Sequence, residues 1–137
     1  MTEDQVFWVG QKAFIVRDDG AVLVLRDPAE GLDFPGGKIQ RGEEDLARSL
    51  QREVHEETGI EIDIGEPFVT WWNEFPARHK YAGKKVFLVG YRCRLLSGEV
   101  RLSSEHDQFR WVTRDNYREV FENSAYFRAL EKYFENR

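Results

Sequence analysis

The sequence has little cysteine and no long apolar segment. Cys93 is the single cysteine among 137 residues, so the chain cannot form an internal disulfide, which is typical of proteins from a reducing compartment. Cys93 lies in an apolar-rich run, which favours a buried strand residue over a nucleophile. The polar stretch Thr2-Glu3-Asp4-Gln5 differs from a signal peptide, and no apolar run reaches the roughly 18 residues that a membrane span requires. We therefore expect a cytoplasmic protein that does not cross a membrane.

The chain also lacks an excess of positive charge. Its 25 acidic and 20 basic residues give a net charge of −5. This balance argues against electrostatic binding to nucleic acid or to anionic lipid. It is compatible with a phosphate ligand, because a bound cation can reverse the local field.

The apolar content is sufficient for one folded domain. Hydrophobic residues make up 41 % and aromatic residues 14 % of the chain, which argues against disorder, and no linker or repeat divides residues 1–137. Their order predicts a mixed α/β fold with helices on the faces of a sheet. The predicted strands are 6–16 with a break near Gly10, 21–25, 61–64, 68–72, 85–96 and 108–113; the predicted helical segments are 43–58 or 44–58, 114–121 and 125–134.

The first predicted helix carries an apolar stripe and ends at a glycine. Leu46, Leu50 and Val54 recur every four residues, which predicts one buried face. Gly59 is the expected C-terminal stop, because glycine readily adopts the left-handed conformation that follows many helices. Acidic residues suit a first helical turn, so we place the start of the helix at position 43 or 44.

Three carboxylates border this apolar stripe. Glu53, Glu56 and Glu57 lie within one and a half helical turns, where like charges in a partly dry groove repel one another. Arg52 is one candidate partner, and a hard divalent cation with oxygen ligands is another. Alone, such an acidic segment could also be a solvated helix end. The glycine turn upstream and Gly59 downstream favour the ligand-binding interpretation.

Two segments together resemble the signature of the Nudix hydrolases, in particular MutT-type enzymes. Phe34-Pro35-Gly36-Gly37-Lys38 resembles the entry loop, and the segment 52–60 (Arg-Glu-Val-His-Glu-Glu-Thr-Gly-Ile) matches the second half of the motif at every specified position. The chain has one residue more than the motif between Gly37 and Arg52. Counting forward gives Glu43 as the first motif glutamate, and counting back gives Glu44. An insertion in the loop would preserve the apolar stripe, so we predict Glu44 as the structural glutamate that accompanies Arg52 and Gly59.

The resemblance implies an α/β/α sandwich with a mixed β-sheet and a metal-dependent hydrolase of nucleoside diphosphates linked to another group. Glu53, Glu56 and Glu57 would be the catalytic and metal-binding carboxylates, with Glu53 as the base or the residue that positions water. The Gly37 carbonyl and a loop carboxylate, Glu105, would complete the metal site. The implied cofactor is Mg²⁺, with Mn²⁺ as an alternative.

Candidate substrate contacts lie near this motif. Arg26 and Lys38 are placed to reach phosphates, although solvated charges are the ordinary alternative. Phe34, Trp71 and Trp72 are candidates for contacting a base, although core packing is the favoured role for Phe34 and an equal alternative for the two tryptophans. Adjacent strand residues face opposite sides of a sheet, so one tryptophan is expected in the core.

Further assignments concern loops and substrates. Asn73 and Arg78 lie in a predicted loop that could gate the site, and His106 could orient Glu105 or cap its loop. The predicted substrate is a nucleoside triphosphate, including oxidised forms, and the alternatives are ADP-ribose or a dinucleoside polyphosphate. A catalytically silent nucleotide sensor is a further alternative, but the complete glutamate set argues against it. A homodimer through aromatics near the C-terminal helices stays open.

Overall fold

In the computed structural model, which describes residues 2–135, four strands precede the first helix and three strands separate it from the second. The strands are β1 (Trp8–Val16), β2 (Val22–Asp27), β3 (Gly31–Asp33), β4 (Gly36–Lys38), β5 (Glu61–Glu74), β6 (Lys85–Ser97) and β7 (Gln108–Val112). The helices are α1 (Leu46–Thr58) and α2 (Ser124–Glu135), with a 3₁₀ turn at Tyr117–Glu119. None of the helices in these residues is long and apolar enough to cross a membrane.

The strands form one mixed sheet in the order β3-β2-β1-β6-β5, with β4 paired to β1 and β7 paired to β2. The central pair, β1 and β6, is parallel from Trp8 opposite Val86 to Val16 opposite Arg94. The other pairs are antiparallel. The predicted mixed α/β fold is therefore confirmed.

Each face of the sheet has its own apolar core, because successive strand residues point to opposite sides. Ala13 and Ile15 of β1 pack with Leu50 and Val54 of α1 on one face. Phe14, between them, packs with residues of α2 on the other face. The sheet thus lies between two helical layers, as an α/β/α sandwich.

Helix α1 begins later than predicted. Asp45 is its N-cap and accepts a hydrogen bond from the Arg48 amide at 3.1 Å, so the acidic residues before it lie in the entry loop. Leu46 is 39 % exposed, so the apolar stripe starts at Leu50. The predicted stop is confirmed, since Gly59 has φ of 76° and its amide donates to the His55 carbonyl at 2.8 Å.

Several predicted boundaries are wrong for identifiable reasons. Strand β1 continues through Gly10 because that residue pairs with both Leu88 and Lys38. Strand β5 runs without a break, and the predicted interruption is a register shift on each side of Pro67. Segment 114–121 contains only the short 3₁₀ turn.

Candidate active site

Strand β4 lies directly against helix α1. The Gly36 amide donates a hydrogen bond to Glu57 Oε1 at 2.9 Å. A Cβ atom added at Gly37 would lie 2.8 Å from Glu53 Oε2, closer than a side chain can approach. The two glycines thus allow the backbone of β4 to contact two carboxylates of the helix, which explains why the predicted turn carries them.

Arg52 joins the carboxylates on the exposed side of the helix. Its guanidinium lies 3.0 Å from Glu43 Oε2, 3.3 Å from Glu53 Oε1 and 3.0 Å from Glu56 Oε1. The predicted partner Glu44 is wrong, since Glu44 is exposed and Glu43 has its place. A turn explains the exchange: Glu43 also accepts a hydrogen bond from the Gln40 amide at 2.7 Å, which directs its carboxylate toward the helix.

The negative charge of Glu53 and Glu57, on the edge of α1 that contacts β4, is incompletely balanced. Glu57 is buried, and burial raises its pKa to about 7 although Lys12 and the Gly36 amide oppose the change. Burial also raises the pKa of Glu53, with repulsion from Glu56 acting in the same direction and Arg52 opposing. Both carboxylates would therefore be stabilised by an added cation.

The residues at this edge of α1 have the oxygen ligands that a hard divalent cation requires, although their side chains are not arranged around a common centre. Glu53, Glu56 and the Gly37 carbonyl offer oxygen ligands, as Mg²⁺ prefers. Among the residues that the structure describes, no group of three or more potential metal ligands is already assembled. Arg52 and Gly36 hold the carboxylates instead, so cation binding requires some of these side chains to turn.

A buried charged network, which sequence reasoning missed, lies beside this edge. Lys12 Nζ is 3.0 Å from Asp33 Oδ1, and His106 Nε2 is 2.9 Å from Asp33 Oδ2. Burial opposes both charges, but their attraction prevails: the pKa of Lys12 lies above and that of Asp33 below its ordinary range. The only sequence signal was the occurrence of charged residues inside apolar strands.

The loop that carries Glu105 is attached to the end of α1. The Ser103 amide donates to the Glu57 carbonyl at 3.1 Å, and the buried His106 ring anchors the loop to Asp33. Of the two roles expected for His106, these contacts agree with capping of the loop, because within the described residues the ring bonds to Asp33 and not to Glu105. Glu105 itself is exposed.

Two of the predicted base contacts, Phe34 and Trp71, pack in the apolar core on the α2 face. Phe34 has no exposed surface and stacks on Phe14 with 4.0 Å between ring centroids, so its assignment to substrate binding is wrong. Trp71 packs in the same core, 5.1 Å from the Tyr126 ring. Trp72 is 51 % exposed and lies on the opposite face of β5 beside Phe7. One tryptophan therefore points inward and one outward, as predicted.

The two predicted phosphate contacts are held by other groups. Arg26 forms an ion pair with Asp107 at 2.5 Å. Lys38 Nζ lies over three aromatic rings, 5.5 Å from the centroid of Trp8, 5.9 Å from Phe75 and 4.5 Å from Tyr81. Cation–π attraction thus holds its ammonium group over these rings.

A cavity of about 190 Å³ opens on the α2 face of the sheet beside this lysine. Gly37 belongs both to the cavity wall and to the site formed by Glu53, Glu56 and Glu57, which we call the glutamate site. Arg78 pairs with Glu30 at 2.8 Å and so joins loop 75–84 to the loop after β2 at the cavity margin. The lining residues are Gly10, Lys12, Asp27, Glu30, Leu32, Asp33, Gly37, Lys38, Asn73, Phe75, His79, Val86, Leu88, Asn123 and Tyr126.

An α/β/α sandwich in which a glycine-rich strand packs on a glutamate-rich helix defines a Nudix-type hydrolase. The family model for the NUDIX domain matches residues 7–132, and the chain belongs to this family. Nudix proteins are pyrophosphohydrolases that act on small nucleotide substrates and generally use divalent cations.

Two curated relatives are similar in sequence. A MutT-like protein of Streptomyces ambofaciens is 31 % identical over 117 residues, 85 % of this chain and 68 % of the relative. The CTP pyrophosphohydrolase of Escherichia coli K12 is 37 % identical over 71 residues, 48 % of this chain and 52 % of the relative.

Solved structures show the same fold. The MutT protein of Methanosarcina mazei Go1 superposes with a TM-score of 0.79 and 25 % identity, covering 98 % of this chain and 96 % of that one. An Ap4A hydrolase of Caenorhabditis elegans has a TM-score of 0.74 over 92 % of this chain and 94 % of that one, with 22 % identity.

Proposed function

We propose that this chain is a Mg²⁺-dependent pyrophosphohydrolase that cleaves the diphosphate linkage of a nucleoside diphosphate joined to another group. Nucleoside triphosphates, including oxidised forms, are the first candidate substrates. The observation that carries this proposal is the contact of Glu53 and Glu57 with the Gly36–Gly37 backbone. The family match over 7–132 supports one Nudix domain, and we place the enzyme in the cytoplasm.

The metal would be held by oxygen ligands at the edge of α1. Glu53, Glu56, Glu57 and the Gly37 carbonyl are the proposed ligands, and Glu105 joins them from a loop attached to the same helix. When bound, Mg²⁺ neutralises the diphosphate oxygens and lowers the pKa of water. Mn²⁺ is the alternative ion, since it accepts similar ligands.

The protein side chains divide the remaining tasks. Glu53 accepts a proton from the attacking water, and the raised pKa that burial gives this carboxylate suits proton acceptance. Arg52 holds Glu53 and Glu56 in place, and the Gly36 amide holds Glu57. The new bond forms between the water oxygen and phosphorus, and one P–O bond of the anhydride breaks. A nucleoside triphosphate would yield a nucleoside monophosphate and pyrophosphate.

The cavity beside Lys38 would hold the nucleoside. Because Gly37 belongs to both the cavity wall and the glutamate site, a nucleoside in the cavity can extend its phosphates toward α1. The Lys38 ammonium, held over its aromatic rings in the cavity wall, would contact a phosphate oxygen.

A substrate panel tests the proposal against its alternatives. Nucleoside triphosphates, an 8-oxoguanine nucleotide, ADP-ribose and diadenosine tetraphosphate are each incubated with Mg²⁺ or with excess chelator. CTP is included because of the similarity to the E. coli CTP pyrophosphohydrolase. We expect Mg²⁺-dependent release of nucleoside monophosphate from a triphosphate. Turnover of only ADP-ribose or the dinucleotide would favour those alternatives, and binding without release would favour the sensor.

Variants of the helix connect turnover to the glutamates. Glu56→Gln and Glu57→Gln should both reduce turnover strongly while the protein remains folded. Glu44→Gln is the matched control, because Glu44 is exposed and lies outside the Arg52 network. Near-normal turnover in both glutamine variants of α1 would contradict the assignment.

A further inference from the structure

The cavity has a flat apolar floor that crosses three strands. Gly10 of β1 pairs with Leu88 of β6, and Val86 of β6 pairs with Asn73 of β5. A Cβ atom added at Gly10 would lie 2.8 Å from Leu88 Cδ2 and 3.7 Å from the Gly37 carbonyl oxygen. The bare glycine therefore lets the Leu88 side chain lie over β1 and form an apolar surface close to the glutamate site.

The size and walls of the cavity suit a single aromatic ring. Its volume of about 190 Å³ is near the roughly 150 Å³ of an apolar cavity that binds one benzene ring. Phe75 and His79, stacked with 4.4 Å between centroids, form one wall, and Tyr126 of α2 contributes another. A six-membered pyrimidine ring is of this size.

Asn73 offers a hydrogen-bond acceptor in the cavity wall for recognition of such a ring. Its Oδ1 atom is buried and has no hydrogen-bond partner in the described part of the chain. The other acidic and amide side chains of the wall already have partners. Asp27 accepts hydrogen bonds from the amides of Ala29 and Glu30, and the Glu30 carboxylate pairs with Arg78. Asp33 pairs with Lys12. The Asn123 side chain donates to the Glu30 carbonyl and accepts from the Tyr126 amide.

A buried carbonyl oxygen without a partner favours a ligand that brings an N–H group to it. Resting on the function proposed above, we infer that Asn73 Oδ1 accepts a hydrogen bond from the 4-amino group of cytosine. Asn73 thereby makes the enzyme selective for cytidine nucleotides. Uracil carries a carbonyl oxygen at the same position, so with the Asn73 amide oriented as in the structure two acceptors would face each other.

The test compares kcat/KM for CTP, UTP and ATP in the presence of Mg²⁺. The wild type should prefer CTP over UTP by about 10- to 100-fold, the range expected when a buried acceptor is paired or left unpaired. Asn73→Leu removes the acceptor and should lower kcat/KM for CTP to the level of UTP, mainly through KM. Asn73→Asp keeps an acceptor and should keep the preference for CTP. Thr70→Leu, exposed on the other face of β5, is the matched control and should change neither value.

The possible results separate this inference from the proposed function. Absence of turnover with every nucleotide would contradict the proposed function itself. Turnover with a preference for UTP or ATP, or with no preference, would leave that function intact and overturn the role of Asn73. An unchanged CTP-to-UTP ratio in Asn73→Leu, or a lost ratio in Asn73→Asp, would overturn it as well. Since the Asp variant retains the polar group, it keeps the test decisive if the Leu variant fails to fold.

Discussion

Replacing Glu57 by glutamine should stabilise the metal-free protein while it impairs catalysis. The side chain is 6 % exposed, and burial is the main reason that its pKa lies at about 7 and not at 4.5. Asp33 raises the pKa further, whereas Lys12 and the Gly36 amide oppose the rise. Above neutral pH the folded protein must therefore hold an unfavourable charge. Glutamine has nearly the same shape, keeps the acceptor for Gly36 and carries no charge.

The size of the effect follows from the difference between the two pKa values. A rise from 4.5 to about 7 corresponds to about 3 kcal/mol at 1.36 kcal/mol per pKa unit. Because the folded pKa is the higher one, the cost is absent below about pH 4.5. It grows as the pH rises from there to 7, and it is complete above 7. For a chain of this length, about 3 kcal/mol shifts Tm by roughly 10 °C.

The assay is thermal and urea unfolding of wild type and Glu57→Gln in excess chelator, at pH 8.5 and at pH 5. We expect the variant to be more stable at pH 8.5 by about 3 kcal/mol, with most of the gain lost at pH 5. Glu44→Gln, an exposed carboxylate in the same acidic segment, should show little change at either pH. Equal or lower stability of Glu57→Gln at pH 8.5, or a gain that persists at pH 5, would refute the reasoning.

Three further predictions test the glycine contact, the single thiol and the core. Gly37→Ala places a Cβ atom 2.8 Å from the Glu53 carboxylate and should lower kcat by at least about tenfold; unchanged steady-state turnover would contradict the contact. Burial raises the pKa of the Cys93 thiol to about 12. Labelling of Cys93 by a disulfide reagent at pH 8 should therefore be much faster in urea-unfolded than in folded protein. Equal labelling rates would contradict its burial. Phe34→Ala should lower the free energy of unfolding in urea by about 3–5 kcal/mol. If the variant were fully stable but no longer bound substrate, Phe34 would be a substrate contact after all.

The helix and its carboxylates could be predicted from the sequence because their signals are local. A four-residue apolar repeat and a glycine stop determine the phase and the end of α1, and these positions place Glu53 and Glu57 along one edge. The start was harder to predict, since Asp45 competes as a cap with the acidic residues before it. The sequence favoured Glu44 because an additional residue in the loop leaves the apolar stripe unbroken, whereas in the structure the turn at Gln40 directs Glu43 toward Arg52.

The buried network and the cavity depend on contacts that no local pattern reveals. Asp33 and His106 are 73 positions apart, and the hydrogen bond between them exists only after β2, β3 and the loop before β7 have assembled. Asn73 was considered only as part of a gating loop. Its position on the cavity floor follows from the register of β5 with β6. Bulges on each side of Pro67 shift this register. The sequence favoured core packing for Phe34, but its contacts with Phe14 and with Tyr126 of α2 could not be predicted from a local pattern.

The central claim, metal-dependent hydrolysis through the glutamates of α1, is tested most directly by one rate comparison. Initial rates of nucleoside monophosphate formation are measured for wild type, Glu53→Gln and the control Glu44→Gln, with saturating Mg²⁺ and with excess chelator. We predict activity in wild type and control only with Mg²⁺, and a loss of about 100-fold or more in Glu53→Gln, the usual range for removal of a general base. Activity in chelator, or a near-normal rate in Glu53→Gln, would contradict the claim.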